Sequence, residues 1–191
     1  MNSEIQTEVT NTVRVLEEGG VIVYPTDTVW GLGCDALNTR AVDRVYKIKK
    51  RNEAKSLIVL LDSYDDLQKY VKKIPDITID LISSIDNPVT VIYDNARNLP
   101  RNVHAPDGTI AIRVVRDEFC KNLIKELGKP IISSSANISG EPTPLVFKQI
   151  TPDVIKQADY VVKLFHDQFN QGKASTIIRL FEDGTYKVIR Q

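Results

Sequence analysis

Apolar residues recur along the chain first at helical spacing and then at strand spacing. Between residues 9 and 16 they return every three or four positions, which predicts a helix that the following Gly-Gly pair ends. The β-branched run at residues 21–24 predicts a strand, which is closed by Pro25 because proline has no N–H for a central ladder. Residues 26–37 are more polar and are predicted to form a loop.

The same spacing predicts elements to the end of the chain. Residues 41–48 carry an apolar stripe after a capping residue, Asn38 or Thr39, and predict a second helix with a basic end. The further predicted elements are helices at 64–71, 77–85 and 118–127, and strands at 57–61, 89–93, 109–115, 131–132, 160–164, 175–181 and 186–189. Because helices and strands interleave early and strands dominate the end, we expect one α/β domain over residues 1–191.

Charge and cysteine content narrow the classes of function. The 25 basic and 25 acidic residues balance, so any site for a polyanion has to be local. Cys34 and Cys120 lie far apart without metal-ligand spacing, which suggests neither a zinc site nor a disulfide framework and favours a reducing compartment. Since the sequence shows neither a signal peptide nor a membrane-spanning segment, we expect a cytoplasmic protein.

Two polar segments in the first third of the chain are candidates for binding chemistry. Residues 24–33 read YPTDTVWGLG, in which Thr26 and Thr28 offer hydroxyls and the glycines allow a ligand close to the backbone. A tight turn around the aspartate explains this segment as well. Lys49 and Arg51 can hold phosphate or carboxylate groups, although cations at a helix C-terminus are often only solvated.

Two later segments also carry polar groups. Residues 133–143 read SSSANISGEPT and look too polar to continue a buried strand; their hydroxyls and amide can hold phosphate oxygens or only cap the strand exit. Thr109 and Arg113 have even spacing on a predicted strand and so share one face. An arginine there needs an anion, which a ligand or a structural ion pair can supply. Walker A, GxGxxG, nucleophile-elbow and HExxH motifs do not occur.

Five segments follow one another in a characteristic order: YPTDTVWGLG, KIKKRNEAKSL, TIAIRV, KPIISSSANISGEPTP and ASTII. Together they resemble the threonylcarbamoyl-AMP synthases of the YrdC-like family, over nearly the whole chain. The most specific parts are a K-x-R pattern, met by Lys49 and Arg51, and an S-x-N pattern, met by Ser135 and Asn137. The chain departs from the usual family pattern at three places, namely Asn52, Ser56 and residues 84–88.

The resemblance implies a twisted mixed sheet flanked by helices, with a large central basic cavity, in the short single-domain form of the family. It implies a nucleotidyltransferase that condenses ATP, L-threonine and bicarbonate to threonylcarbamoyl-AMP and pyrophosphate, for modification of adenosine 37 in tRNA. The residues that would hold ATP are Lys49, Arg51, Lys55, Thr109, Ser135, Asn137, Thr143 and Arg190. The residues that would hold threonine are Thr28, Arg113, Ser133 and Ser175.

The resemblance also implies how catalysis is shared. Lys49, Arg51, Ser135 and Asn137 would form the catalytic group, while Mg²⁺ would arrive on ATP and be held by phosphates and water rather than by a protein cage. Contact with tRNA would be direct or made through other tRNA-modification proteins. Two other interpretations stay open: an RNA-binding paralogue without activity, and an enzyme of the same fold with a different small substrate.

Overall fold

Nine strands form one mixed sheet in the computed structural model of the chain, which describes residues 3–52, 57–167 and 174–191. The strands are β1 (Ile22–Tyr24), β2 (Gly31–Gly33), β3 (Ile58–Leu61), β4 (Val89–Tyr93), β5 (Ile110–Val114), β6 (Ile131–Ser135), β7 (Tyr160–Val161), β8 (Thr176–Leu180) and β9 (Tyr186–Arg190). The helices are α1 (Ser3–Glu17), α2 (Thr39–Lys49), α3 (Leu67–Tyr70), α4 (Thr78–Ser83), α5 (Glu118–Leu127) and α6 (Pro152–Gln157).

The strands lie in the order β7-β1-β2-β6-β3-β5-β4-β8-β9. Strands β1 and β7, β3 and β5, and β4 and β8 pair in parallel, while the other neighbours are antiparallel. This architecture confirms the predicted α/β class and the mixed sheet with flanking helices.

Helices cover the two faces of the sheet unequally. On one face, α2 packs into a continuous core with Val59, Ile112 and Ile132. On the other face, α1 and α5 pack together over one end of the sheet, where Leu60 and Ile131 belong to a second core. Side chains alternate between the faces of a strand, so the part of this second face that α1 and α5 leave uncovered is open to a ligand.

The prediction of a loop over residues 26–37 was wrong, because β2 lies inside that range and pairs with both β1 and β6. Close packing requires glycine at position 33 of this strand. A Cβ on Gly33 would lie 2.1 Å from the carbonyl oxygen of Ile132 and 2.8 Å from the ring of Tyr24. The Tyr24 hydroxyl donates a hydrogen bond to that same carbonyl at 3.2 Å, so the ring reaches across β2 to β6.

The strand predicted at residues 131–132 is longer than expected. It continues as β6 through Ser135 in the middle of the sheet, so the view that the serines were too polar for a strand was also wrong. Helix α6 was not predicted, and β7 is shorter than the predicted strand at 160–164. The predicted start of α2 is confirmed, since the side chain of Asn38 accepts a hydrogen bond from the backbone N–H of Ala41.

Candidate functional site

A cavity of about 250 Å³ lies on the open part of the second sheet face. Seven strands contribute to it: β2, β3, β4, β5, β6, β8 and β9. Eight hydroxyl-bearing residues line it, namely Thr26, Thr28, Thr90, Ser133, Ser134, Ser135, Thr143 and Ser175. Hydroxyls both donate and accept hydrogen bonds, so such a wall suits a ligand with several oxygen atoms.

The charged side chains among the described lining residues of the cavity are arginines. Arg51, Arg113 and Arg190 line it, and no carboxylate stands among its described lining residues. Burial lowers the pKa of Arg51 and of Arg190, and the charge of Arg113 adds to the effect on Arg190. An anion bound between these guanidinium groups would offset both the lost solvation and the mutual repulsion.

Arg113 is almost completely buried in β5 and has two polar neighbours. One terminal nitrogen, Nη1, donates to the hydroxyl of Thr28 at 3.1 Å, and Nη2 lies 3.3 Å from Oδ1 of Asp27. The structure therefore supplies an anion to this arginine from within the protein, as one of the two sequence interpretations expected. Since Arg113 also lines the cavity, its guanidinium joins that ion pair to the ligand space.

The loop before β2 is organised by Thr26. Its hydroxyl donates to the carbonyl of Val29 at 2.8 Å, lies 2.9 Å from the hydroxyl of Thr28, and accepts from the backbone N–H of Thr28 at 3.1 Å. The turn expected around the aspartate is therefore built by Thr26 instead, and it presents Thr28 to Arg113. Ligand binding by this segment stays a prediction.

A second polar group is centred on β4, the strand next to β5 in the sheet. The hydroxyls of Thr90 and Ser175 lie 2.8 Å apart. Arg190 donates to the Ser175 carbonyl from Nε at 3.2 Å and from Nη2 at 2.8 Å. Arg190 thereby ties the last strand to the chain just ahead of β8, and its guanidinium still borders the cavity.

Lys49 is only 1% exposed and does not line the cavity. Its ammonium group donates to the carbonyl oxygens of Ser135 and Asn137, the latter at 2.7 Å, and lies 3.4 Å from Oδ1 of Asn137. Burial lowers the pKa of Lys49 to about 7, and the charge of Arg51 acts in the same direction. The K-x-R and S-x-N patterns thus meet in space, with Lys49 as the link between α2 and the exit of β6.

The predicted site residues fall into three groups. Those that line the cavity are Thr28, Arg51, Arg113, Ser133, Ser135, Thr143, Ser175 and Arg190. Those that lie outside its described wall are Lys49, Asn137 and Thr109. Asn137 donates to the carbonyl of Glu141 at 2.7 Å, and the Thr109 hydroxyl donates to Asp107 at 2.8 Å. Lys55 lies outside the described residues.

Sequence reasoning passed over Thr90, and it considered Ser134 and Asp27 only as parts of their segments, without a site role of their own. Thr90 alternates with the core residues Val89 and Val91 in β4, and a polar residue on a strand between such neighbours is the signal that could have identified it. The roles assigned to individual residues by resemblance stay predictions.

A larger groove of about 710 Å³ lies beside α4, β8 and β9. Within the described part of the chain its lining contains no charged side chain, and it includes Leu81, Ile178, Tyr186 and Val188. It therefore lacks the chemistry for an anion. Clusters of three or more His, Cys, Asp or Glu side chains placed to bind a metal are also absent from the described ranges.

The fold and the cavity together define a class: α/β proteins that keep part of a mixed sheet uncovered and line it with arginines and hydroxyls. A sequence model of the Sua5/YciO/YrdC family, described as Telomere recombination, matches residues 14–191. The chain therefore belongs to the Sua5/YciO/YrdC family, which confirms the resemblance found in the sequence. In residues 3–52, 57–167 and 174–191, every helix is too short or too polar to cross a membrane.

Individual relatives agree with the family match. The chain is 40% identical to a threonylcarbamoyl-AMP synthase of Pseudoalteromonas translucida over 160 residues, which cover 82% of this chain and 86% of that protein. It superimposes with a TM-score of 0.82 on Pyrococcus abyssi Sua5 complexed with L-threonine, at 29% identity and with 90% of this chain covered. It spans half the length of that Sua5 chain. Escherichia coli YciO gives a TM-score of 0.84 at 26% identity, covering 97% of this chain and 89% of YciO.

Proposed function

We propose that this protein is an L-threonylcarbamoyl-AMP synthase, which condenses ATP, L-threonine and bicarbonate to threonylcarbamoyl-AMP and pyrophosphate. The observation that supports this function most is the cavity that joins three arginines to a wall of hydroxyls without a carboxylate among its described lining residues. All three substrates carry oxygen anions, so a desolvated cationic cavity suits each of them. The names of the relatives point to the same reaction.

Threonine would bind at the Arg113 end of the cavity. The guanidinium would pair with the amino-acid carboxylate, and the hydroxyls of Thr28, Ser133 and Ser175 would meet its remaining polar groups. A volume of about 250 Å³ is small for a binding site, because drug-sized sites occupy roughly 300 to 1,000 Å³. An amino acid suits this space better than a whole nucleotide does.

The triphosphate of ATP would approach Arg51, Arg190, Ser135 and Thr143 at the wall of the same cavity. Lys49 and Asn137 would act beneath this wall, because their contacts hold the backbone that follows β6. Lys49 and Asn137 were predicted to belong to the catalytic group. In this arrangement they would contribute by shaping the phosphate site. Lys55 lies outside the described residues, and its role in holding ATP stays a prediction.

The reaction requires orientation and charge neutralisation more than a protein nucleophile. The amine of threonine attacks the carbon of bicarbonate, a C–N bond forms and water leaves, which yields a carbamate. A carbamate oxygen then attacks the α-phosphorus of ATP, and the bond to pyrophosphate breaks. The arginines would hold the carboxylate and the phosphates in reach of each other.

The described lining does not fit a protein-bound magnesium ion, since it offers hydroxyls but no carboxylate. Magnesium would enter as part of the ATP complex, as substrate. The product would serve the modification of adenosine 37 in tRNA, with tRNA met directly or through partner proteins. Two free, buried thiols, Cys34 and Cys120, are compatible with a reducing cytoplasm as the place of action.

Pyrophosphate release tests this function. The purified protein is incubated with ATP, magnesium and bicarbonate, with and without L-threonine, and pyrophosphate is measured. We expect release only when threonine is present. Folded protein that releases none would remove the proposal, and a thermal-shift series with ATP, threonine and both together would show which substrate binds.

A further inference from the structure

Asp27 lies behind the wall of the cavity, in the loop between β1 and β2. Its side chain is 8% exposed, and it is not among the residues that line the cavity. Besides its ion pair with Arg113, its Oδ2 accepts a hydrogen bond from the backbone N–H of Arg116 at 3.3 Å. One carboxylate thus connects the loop before β2 to the end of β5.

The Arg113 guanidinium makes a hydrogen bond at one of its three nitrogens and an ion pair at a second. Thr28 accepts from Nη1 and Asp27 faces Nη2, while Nε is buried without a hydrogen-bond partner. A hydrogen bond at Nη1 and an opposite charge 3.3 Å from Nη2 restrict the plane of the guanidinium, and a defined plane is what recognition of a carboxylate by arginine needs. We propose that Asp27 is a positioning residue, which orients Arg113 so that its guanidinium meets the substrate carboxylate.

A second buried carboxylate in this region has a different task. Asp117 accepts the backbone N–H of Cys120 at 2.7 Å and caps α5, and burial raises its pKa. Among the described ion pairs it is Asp27, not Asp117, that lies within 4.0 Å of Arg113. Of these two carboxylates, it is therefore Asp27 that is placed to orient this arginine.

Two opposite effects follow if the charge of Asp27 is removed, and they separate positioning from simple electrostatics. A bystander anion next to Arg113 would repel the substrate carboxylate, so its removal would lower the KM for threonine. A positioning anion holds the arginine in place through the attraction between opposite charges, which is screened little where both side chains are buried. Its loss would raise the KM for threonine.

The identity of the substrate rests on the proposed function, and the test uses Asp27→Asn, which keeps the shape of the side chain. We expect the KM for threonine to rise about tenfold, with the KM for ATP within about twofold of wild type. Asp35→Asn is the matched control. Asp35 is also buried, and it pairs with Lys129 at 3.0 Å outside the lining of the cavity. Unchanged or lower KM for threonine, or the same change in the control, would overturn the proposal.

A spectroscopic readout keeps this proposal separate from the proposed function. The NMR resonance of the Arg113 Nε–H group can be assigned by its loss in Arg113→Lys. In Asp27→Asn this resonance should shift, or its proton should exchange faster with solvent, and in Asp35→Asn it should do neither. An unchanged resonance in Asp27→Asn would refute the positioning role of Asp27, whether or not the wild-type protein is active. If the resonance shifts as expected but the wild-type protein releases no pyrophosphate, only the proposed synthase function is refuted. If Asp27→Asn does not fold, Asp27→Glu replaces it in the test. This variant keeps the charge but has a longer side chain, so the KM for threonine should rise by less than about tenfold. A KM for threonine equal to that of wild type would overturn the proposal.

Discussion

The buried ammonium group of Lys49 should make the stability of this protein rise with pH above neutrality. Its pKa is lowered from 10.5 to about 7 in the folded chain, chiefly by burial. Between these two values the unfolded chain holds a proton that the folded chain has released. The free energy of unfolding therefore increases with pH in this window and falls again as the pH drops toward 7.

The size of the effect follows from the two pKa values. Over the interval from pH 7 to 8.5, the linkage relation gives an increase of about 1.6 kcal/mol for this one group. The carbonyl oxygens of Ser135 and Asn137 stabilise the charged amine and act against burial, so this figure is an upper bound. Lys49→Met removes the titrating group and keeps a long unbranched side chain, and its curve should lack the rise.

Urea unfolding at closely spaced pH values measures this difference. Subtracting the Lys49→Met curve from the wild-type curve cancels the titration of all other groups. Lys47→Met, on the exposed side of the same helix, is the control and should keep the wild-type slope. Parallel curves for wild type and Lys49→Met would refute the reasoning, because they would mean that Lys49 stays charged in the folded protein up to pH 8.5.

Three further predictions concern packing, catalysis and metal. Gly33→Ala should lower the free energy of unfolding, measured with urea, by about 3 kcal/mol, because the new Cβ would lie 2.1 Å from the Ile132 carbonyl oxygen. Gly31→Ala, whose Cβ would lie 3.0 Å from the nearest atom, should lower it by about 1 kcal/mol. Equal losses in the two variants would contradict this reasoning. Arg51→Ala and Ser135→Ala should each lower kcat/KM for pyrophosphate release at least about 100-fold with little change in Tm, and loss of folding would instead assign them structural roles. EDTA should stop pyrophosphate release and added Mg²⁺ restore it, and activity that survives EDTA would contradict entry of ATP as its magnesium complex.

The sequence predicted most of the architecture because helix spacing and buried strands leave clear apolar patterns. Helices α1, α2 and α5 and the buried strands β3, β4 and β5 appear where the pattern placed them. Strand order was not predictable, since it depends on contacts between distant segments. Strand β2 was missed because glycine has low strand propensity. The need for glycine at position 33 becomes visible only in the structure, from the neighbouring Ile132 carbonyl and Tyr24 ring.

The candidate site was only partly predictable for a related reason. The serines of β6 were read as a strand exit because a strand in the middle of a sheet is expected to be apolar. They line a cavity instead of a core, so the usual pattern does not hold there. The burial of Lys49 was equally invisible, because basic residues at a helix end are normally solvated and the carbonyl groups that receive this one lie 86 and 88 residues away.

Alternation along the strands bears on how this molecule can change over evolutionary time. In β5 and β4, Ala111 and Thr90 border the cavity, while Ile112 and Val91, one position away, belong to the core on the opposite side. A mutation of Ala111 or Thr90 alters what the cavity recognises. A mutation of Ile112 or Val91 alters the packing that keeps the chain folded. Selection can therefore retune specificity and robustness almost independently within the same few residues.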